Sequence, residues 1–155
     1  MLDRKDLQIL DALQRDARCS LSALGRRIGL SQPAVSERVK RLEQAGVIRG
    51  YGARIDPQAV GLALQAVVRV RTTHEYVRRY VETFQAMPEV VDAVRVTGED
   101  CFVVRCAFAR PEDLERIVDA LAAHGSVGTA LVLSHPVAKG LPLTHPPEAP
   151  TRARR

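Results

Sequence analysis

Between Ser20 and Gly46 the chain carries two short amphipathic patterns joined by only about four residues, and few folds accommodate that spacing. Ser20 can cap the first pattern, in which Leu21, Leu24 and Ile28 recur at i, i+3 and i+7. Gly29 ends it by allowing a left-handed backbone. Ser31 caps the second, Pro33 is tolerated in its first turn, and Val35, Val39 and Leu42 form an i, i+4, i+7 core stripe before Gly46 stops it. A helix lying across another needs a small residue at the contact. Gly25, four residues before Gly29, meets that need, and Val35, six after Gly29, points into the same core. Residues 3–16 add a preceding helix, with Asp3 as cap, Asp6 in the first turn, and Leu7, Ile9, Leu10 and Leu13 as its apolar stripe. The joint spacing outlines a helix-turn-helix.

Spaced at about 100° per residue, the second of these helices turns Pro33, Ser36, Glu37, Lys40, Arg41 and Gln44 away from the stripe. Gln32 lies on one flank and Arg38 on the other. A polar helix face is most often simply solvated. Here it belongs to the second helix of a helix-turn-helix, where a major groove is read. Gln32 and Ser36 at its start suit base edges, and Arg38, Lys40 and Arg41 suit phosphates. Gln32, Pro33, Ser36, Arg38, Lys40 and Arg41 are therefore the expected contacts to double-stranded DNA.

The charge distribution agrees. Residues 1–60 hold 11 Lys and Arg against 7 Asp and Glu, whereas residues 61–140 hold 9 against 10. The first part alone suits a polyanion. With 155 residues the chain makes one ordinary domain or two small ones. No apolar run approaches the roughly 18 residues of a membrane span, and the start, MLDRKDLQIL, is too charged for a signal peptide. Cys19, Cys101 and Cys106 are too few and too poorly spaced for a disulfide framework or a zinc site. A cytoplasmic protein without metal, cofactor, catalytic residue or membrane partner is expected.

Residues 47–61 read as an extended connecting strand and hinge, from Val47 to Ile55, followed by a turn. Beyond it come a strand at 62–71, a helix at 75–87, strands at 90–97 and 101–108, a helix at 111–124 and a strand at 127–133. The order β-α-β-β-α-β is the split βαβ, ferredoxin-like arrangement, which places both helices on one sheet face. The strands carry Val, Ala, Cys or Phe on both sides, so the other face should also be covered, most simply by a second copy of the chain.

The stretches LDRKDLQILDALQRDAR, LSALGRRIGLSQPAVSERVKRLEQAGVIRGYGARIDP, VTGEDCFVVR and GSVGTALVLS resemble the Lrp/AsnC family of transcription regulators over roughly residues 2–137. The resemblance implies an α+β chain. A winged-type helix-turn-helix domain at 1–50 and a hinge strand or linker at 51–61 would precede a ligand-sensing, oligomerising βαββαβ (RAM) domain at 62–140, with a disordered Pro-rich, basic tail at 141–155. It also implies homodimers that assemble further, often to octamers, with a small effector, usually an amino acid, bound between dimers. The residues placed to line that site are Thr97, Gly98, Glu99 and Asp100 of the strand-turn-strand loop, with Thr129 on the last strand. Many family members carry a carboxylate just before the aromatic of the third domain strand. Here Cys101 precedes Phe102, so leucine is an unfavourable effector.

Two other readings compete. Some relatives of similar fold are sirohaem decarboxylases that use His and Arg around a tetrapyrrole. His74, His124, His135 and His145 show no clustered spacing, and the DNA-reading helix is intact. An architectural protein that wraps DNA with little sequence preference would show a low ratio of specific to non-specific affinity.

Overall fold

The computed structural model describes residues 2–143, which divide into two compact units. Of these, the first holds residues 2–53 together with 137–143, and the second spans Arg54–Pro136. Beyond residue 143 the expected basic tail lies outside the described residues.

Three helices build the first unit: α1 (Arg4–Arg15), α2 (Leu21–Ile28) and α3 (Gln32–Gln44). Each starts on the cap read from the sequence, because the Asp3, Ser20 and Ser31 side chains accept from the N–H groups of Asp6, Ala23 and Ala34. Asp6 returns the bond to the Asp3 N–H, completing a capping box. Gly29 ends α2 at φ 68°, and the Lys5 ammonium donates to the Ile28 carbonyl at that end. The core collects Ile9, Ala12, Leu13, Leu24, Ile28, Val35, Val39 and Leu42, with Leu10 only half-buried beside it. The crossing of α2 and α3 depends on Gly25. A Cβ there would stand 2.5 Å from the Leu30 carbonyl oxygen and 3.5 Å from Val35 Cγ2. That close approach lets Leu30 N–H bond the Gly25 carbonyl at 2.9 Å and close the turn.

Residues 47–57 form no β-ladder, which corrects the expected hinge strand. The Val47 and Ile48 amides instead bond the Leu42 carbonyl at the end of α3. A strand needs a neighbour to take its N–H and C=O groups, and this segment has none among the described residues. Tyr51 Oη donates to Glu43 at 2.8 Å. From the far end, Leu141 exchanges two hydrogen bonds with the Gln14 amide, at 2.9 and 3.0 Å, which ties it to α1.

The second unit is a four-stranded antiparallel sheet of order β2-β3-β1-β4. Its elements are β1 (Leu64–Thr72), α4 (Val77–Ala86), β2 (Val90–Arg95), β3 (Phe102–Phe108), α5 (Pro111–Ala122) and β4 (Gly125–Leu131). The order and the paired helices are those of the ferredoxin-like fold. Strand alternation points Ala66, Val68 and Val70 of β1 and Phe102, Val104, Cys106 and Phe108 of β3 to one side. Tyr80 and Phe84 of α4 and Ile117 and Leu121 of α5 close over them. Phe84 meets Phe102 edge-on, with ring centroids 5.2 Å apart. On the opposite side Val67, Val94 and Val103 alternate with Arg69, Arg71 and Arg105. This face is more mixed than the sequence reading of doubly apolar strands, because every second residue of β1 beyond Val67 is an arginine. Gly128 of β4 leaves space beside the Arg69 guanidinium, whose nearest atom would be 3.6 Å from a Cβ there.

Candidate DNA-reading helix and effector loop

On α3 the buried side is Val35, Val39 and Leu42, as the spacing requires. Gln32, Pro33, Ser36, Glu37, Lys40 and Gln44 are exposed, and the side chains of Gln32, Ser36 and Lys40 have no hydrogen-bond or ion-pair partner among the described residues. Gln32 and Pro33 stand in the first turn of the helix, one turn ahead of Ser36.

The two arginines behave differently from the reading of them as free phosphate contacts. Arg38 places Nη1 2.6 Å from Asp3 Oδ2 and 2.8 Å from Asp6 Oδ1. Arg41 places Nη2 2.9 Å from both Asp6 oxygens. The Asp6 carboxylate is fully buried, and a buried carboxylate is tolerated only when paired and hydrogen-bonded. The Asp3 carboxyl is held below its ordinary range by the Asp6 backbone N–H and then by Arg38, while Asp3 and then Asp6 push the Arg38 guanidinium up. Arg38 is thus half-buried and committed within the protein, and Arg41 is committed on one side only. Sequence reasoning placed Asp6 in the first turn of α1 and missed this role. The available signal was two pairs with the same three-residue spacing, Asp3/Asp6 and Arg38/Arg41, on helices that must pack together.

The turn between β2 and β3 is closed by Val96 N–H on the Cys101 carbonyl at 3.0 Å. Gly98 sits at φ 110°, a conformation that glycine alone adopts without strain. Thr97, Gly98 and Glu99 are exposed and Asp100 is half-buried. Glu99 is paired directly with Arg71 at 2.6 Å, an exposed contact of about 0–1 kcal/mol. Asp100 has no partner among the described residues. Cys101 does not face the loop opening. Its thiol donates to the Thr72 carbonyl at 3.1 Å, and its own N–H bonds the Val70 carbonyl at 2.8 Å. Behind it, Thr72 Oγ1 bonds the His124 carbonyl, and the His124 ring stacks on Tyr76 at 4.6 Å.

Thr129 is not brought to this loop within one chain. It pairs with Val68, on the far side of β1 from β3, whereas the residue of β4 level with Arg71 is Ser126. The β1–β4 register, which sets Val127 beside Val70 and Thr129 beside Val68, decides this. An open groove of about 480 Å³ lies elsewhere, between the end of α4 and the start of β2, lined by Phe84, Met87, Pro88 and Val91 among others. Among the described residues no group of three or more His, Cys, Asp or Glu is placed to hold a metal ion. Among the same residues no helix is long and apolar enough to cross a membrane.

A helix-turn-helix with an exposed polar face, followed by a βαββαβ domain, is the architecture of a DNA-binding regulator with a separate ligand-binding module. Residues 2–49 match the winged helix-turn-helix DNA-binding model, and residues 65–141 match the Lrp/AsnC ligand binding domain. The chain belongs to the Lrp/AsnC family of transcription regulators. It is 37% identical over 141 residues to the transcriptional regulator AldR of Mycolicibacterium smegmatis, covering 86% of this chain and 82% of that one. It is 38% identical over 112 residues to the transcriptional activator DecR of Escherichia coli K12, covering 70% and 74%. A transcriptional regulator of Neisseria meningitidis, solved as its complex with L-Met, superposes with a TM-score of 0.86 at 30% identity, over 94% of this chain and 99% of that one. All three of these relatives are named as transcriptional regulators or activators.

Proposed function

We propose that the protein is a sequence-specific transcription regulator that binds double-stranded DNA as a homodimer, its assembly or DNA affinity set by a small amino-acid effector. The observation that carries this reading is the exposed edge of α3, where Gln32, Pro33, Ser36 and Lys40 stand free on a helix whose other side is locked in the core. In the major groove Gln32 and Ser36 would meet base edges, with Pro33 against the base stack edge, and Lys40 would meet a phosphate. The protein would act in the cytoplasm, on the nucleoid.

The second copy would cover the open sheet face, on which Val67, Val94 and Val103 alternate with Arg69, Arg71 and Arg105. Two recognition helices could then meet successive major grooves about 34 Å apart. The family pattern extends such dimers to octamers. The effector site would be the Thr97–Asp100 loop at an interface between dimers. Gly98 lets the backbone approach a ligand, and Asp100, without a partner among the described residues, can accept from an ammonium group. Glu99 would exchange its bond with Arg71 for one to the ligand, and Thr129 would enter the site from another copy. The L-Met bound to the Neisseria regulator supports an amino acid as ligand class. Cys101, with its thiol turned to Thr72, supplies no charged acceptor, so leucine should bind poorly.

The test is recovery of bound DNA across a genome, with and without a panel of amino acids, on wild type and on a variant with Gln32, Ser36 and Lys40 all changed to Ala. Operator binding unchanged in a folded triple variant refutes the reading helix. Recovery without sequence preference supports the architectural role instead. Calorimetry with the same amino acids on wild type and Asp100→Ala tests the loop. Tight leucine binding untouched by that change would place the effector elsewhere. Sedimentation of Val103→Glu should show a monomer where wild type shows a dimer.

A further inference from the structure

We infer that Asp6 is a positioning residue for DNA binding: it grips one edge of the Arg41 guanidinium and thereby holds the other edge out for a phosphate. The inference rests on the DNA-binding reading of α3. Asp6 accepts four hydrogen bonds: at Oδ1 from Arg38 and Arg41, at 2.8 and 2.9 Å, and at Oδ2 from Asp3 N–H and Arg41, at 3.0 and 2.9 Å. Its acceptor capacity is used up, and it is fully buried, so it cannot turn away to solvent. The Arg41 side chain is 57% exposed, and only its Nη2 faces Asp6. A guanidinium is a rigid plane with five donors, so holding one corner orients the rest. Nε and Nη1 of Arg41 therefore remain as donors on a side chain that has already lost most of its rotamer freedom. A phosphate contact made by it forgoes most of the ordering cost that a free arginine or lysine incurs.

Arg38 takes the other share of the load. Its Nη1 spans Asp3 and Asp6, and its side chain is half-buried, so it ties the start of α1 to the middle of α3. The network thus fixes the recognition helix and one of its phosphate contacts together.

The sign of the effect distinguishes this from simple electrostatics. Asp6 is a negative charge beside a surface that meets a polyanion, and its removal raises the net positive charge by one. Electrostatics alone predicts tighter DNA binding, and positioning predicts weaker binding. The experiment uses the full chain and two labelled duplexes, one enriched from a random-sequence library by the wild-type protein and one of random sequence. Binding is measured by fluorescence anisotropy between about 50 and 200 mM salt. Thermal midpoint and circular dichroism are recorded alongside. Asp6→Asn should weaken binding to the enriched duplex on the order of tenfold, the size expected when a charge-assisted contact is lost. Arg41→Ala should weaken binding to both duplexes and reduce the salt slope by about one unit. In the Arg41→Ala background, Asp6→Asn should have little further effect on affinity, because Asp6 acts through that arginine. Should Asp6→Asn fail to fold, Arg41→Lys carries the test. It keeps the charge, but one ammonium cannot serve Asp6 and a phosphate as a planar fork does, so affinity should again fall with a near-native thermal midpoint. Tighter binding by Asp6→Asn, an effect of equal size in both backgrounds, or wild-type affinity in Arg41→Lys would overturn the inference. Failure of the unaltered protein to bind any duplex would overturn the DNA-binding reading and this inference with it.

Discussion

Replacing Gly25 by alanine should destabilise the three-helix unit, although alanine is the better helix former. Two effects oppose each other. Relieving a helix-interior glycine of its backbone freedom is worth about 1 kcal/mol in favour of the variant. Against it, the new Cβ would sit 2.5 Å from the Leu30 carbonyl oxygen, inside the 3.0 Å that real Cβ atoms respect, and 3.5 Å from Val35 Cγ2. The obstacle is backbone and cannot swing aside. The Leu30 N–H also bonds the Gly25 carbonyl, so moving Leu30 away lengthens that bond. Overpacking of this kind costs about 1–3 kcal/mol, and the turn bond adds about 1 kcal/mol if it is lost. The net expectation is a loss of about 1–3 kcal/mol, which for a small unit lowers the thermal midpoint by about 4–8 °C per kcal/mol. The assay is thermal and urea unfolding followed by circular dichroism, with Gly52→Ala as the comparison. Gly52 has open space around it and no left-handed backbone, so its variant should be near neutral. If Gly25→Ala unfolds with wild-type stability, the close crossing of α2 and α3 is not as described and the argument fails. The same clash should tilt α3, so DNA affinity should fall even where the variant remains folded.

Gly125→Ala should lower the urea midpoint of the second unit by a comparable amount, because its Cβ would stand 2.2 Å from the Arg71 carbonyl oxygen, where β4 enters the sheet beside Thr72. Phe108→Ala should cost about 3–5 kcal/mol in the same assay, since its ring is almost fully buried under the helices. Burial, and then the Glu89 charge, push the Cys106 thiol up to about 11, so brief alkylation of native protein near neutral pH should modify Cys19 and Cys101 and spare Cys106. Mass spectrometry showing equal labelling at all three would contradict that burial. Asp3 is held below its ordinary 3.8, so its contribution is present above that value and is lost as the pH falls beneath it. Asp3→Ala should therefore be less stable than wild type by about 1 kcal/mol near neutral pH, the usual value of an N-cap. The gap should close in acid, and one that stays constant down the titration would show that the Asp3 charge is not what stabilises.

Much of the fold was legible from local rules. The three helix caps at Asp3, Ser20 and Ser31, the stop at Gly29 and the stripe Val35, Val39, Leu42 depend on hydrogen bonds and periodicities within a few residues, and those are written in neighbouring letters. The β-α-β-β-α-β order followed in the same way, and so did the exposed edge Gln32, Ser36 and Lys40, because a helix with one side in the core must show the other. Family membership rode on the same letters. What the sequence could not decide was which groups, distant along the chain, meet in space. Whether Arg38 and Arg41 are free cations or partners of Asp6 depends on α1 crossing α3, a separation of more than thirty residues. Thr129 belongs beside Val68 rather than beside the Gly98 loop because one register out of several was selected by packing. The segment after Gly46 shows the same limit from the other side. Val47, Ile48, Tyr51 and Ile55 suggested a strand despite Gly50 and Gly52, yet a strand exists only where another strand takes its hydrogen bonds, and among the described residues none does.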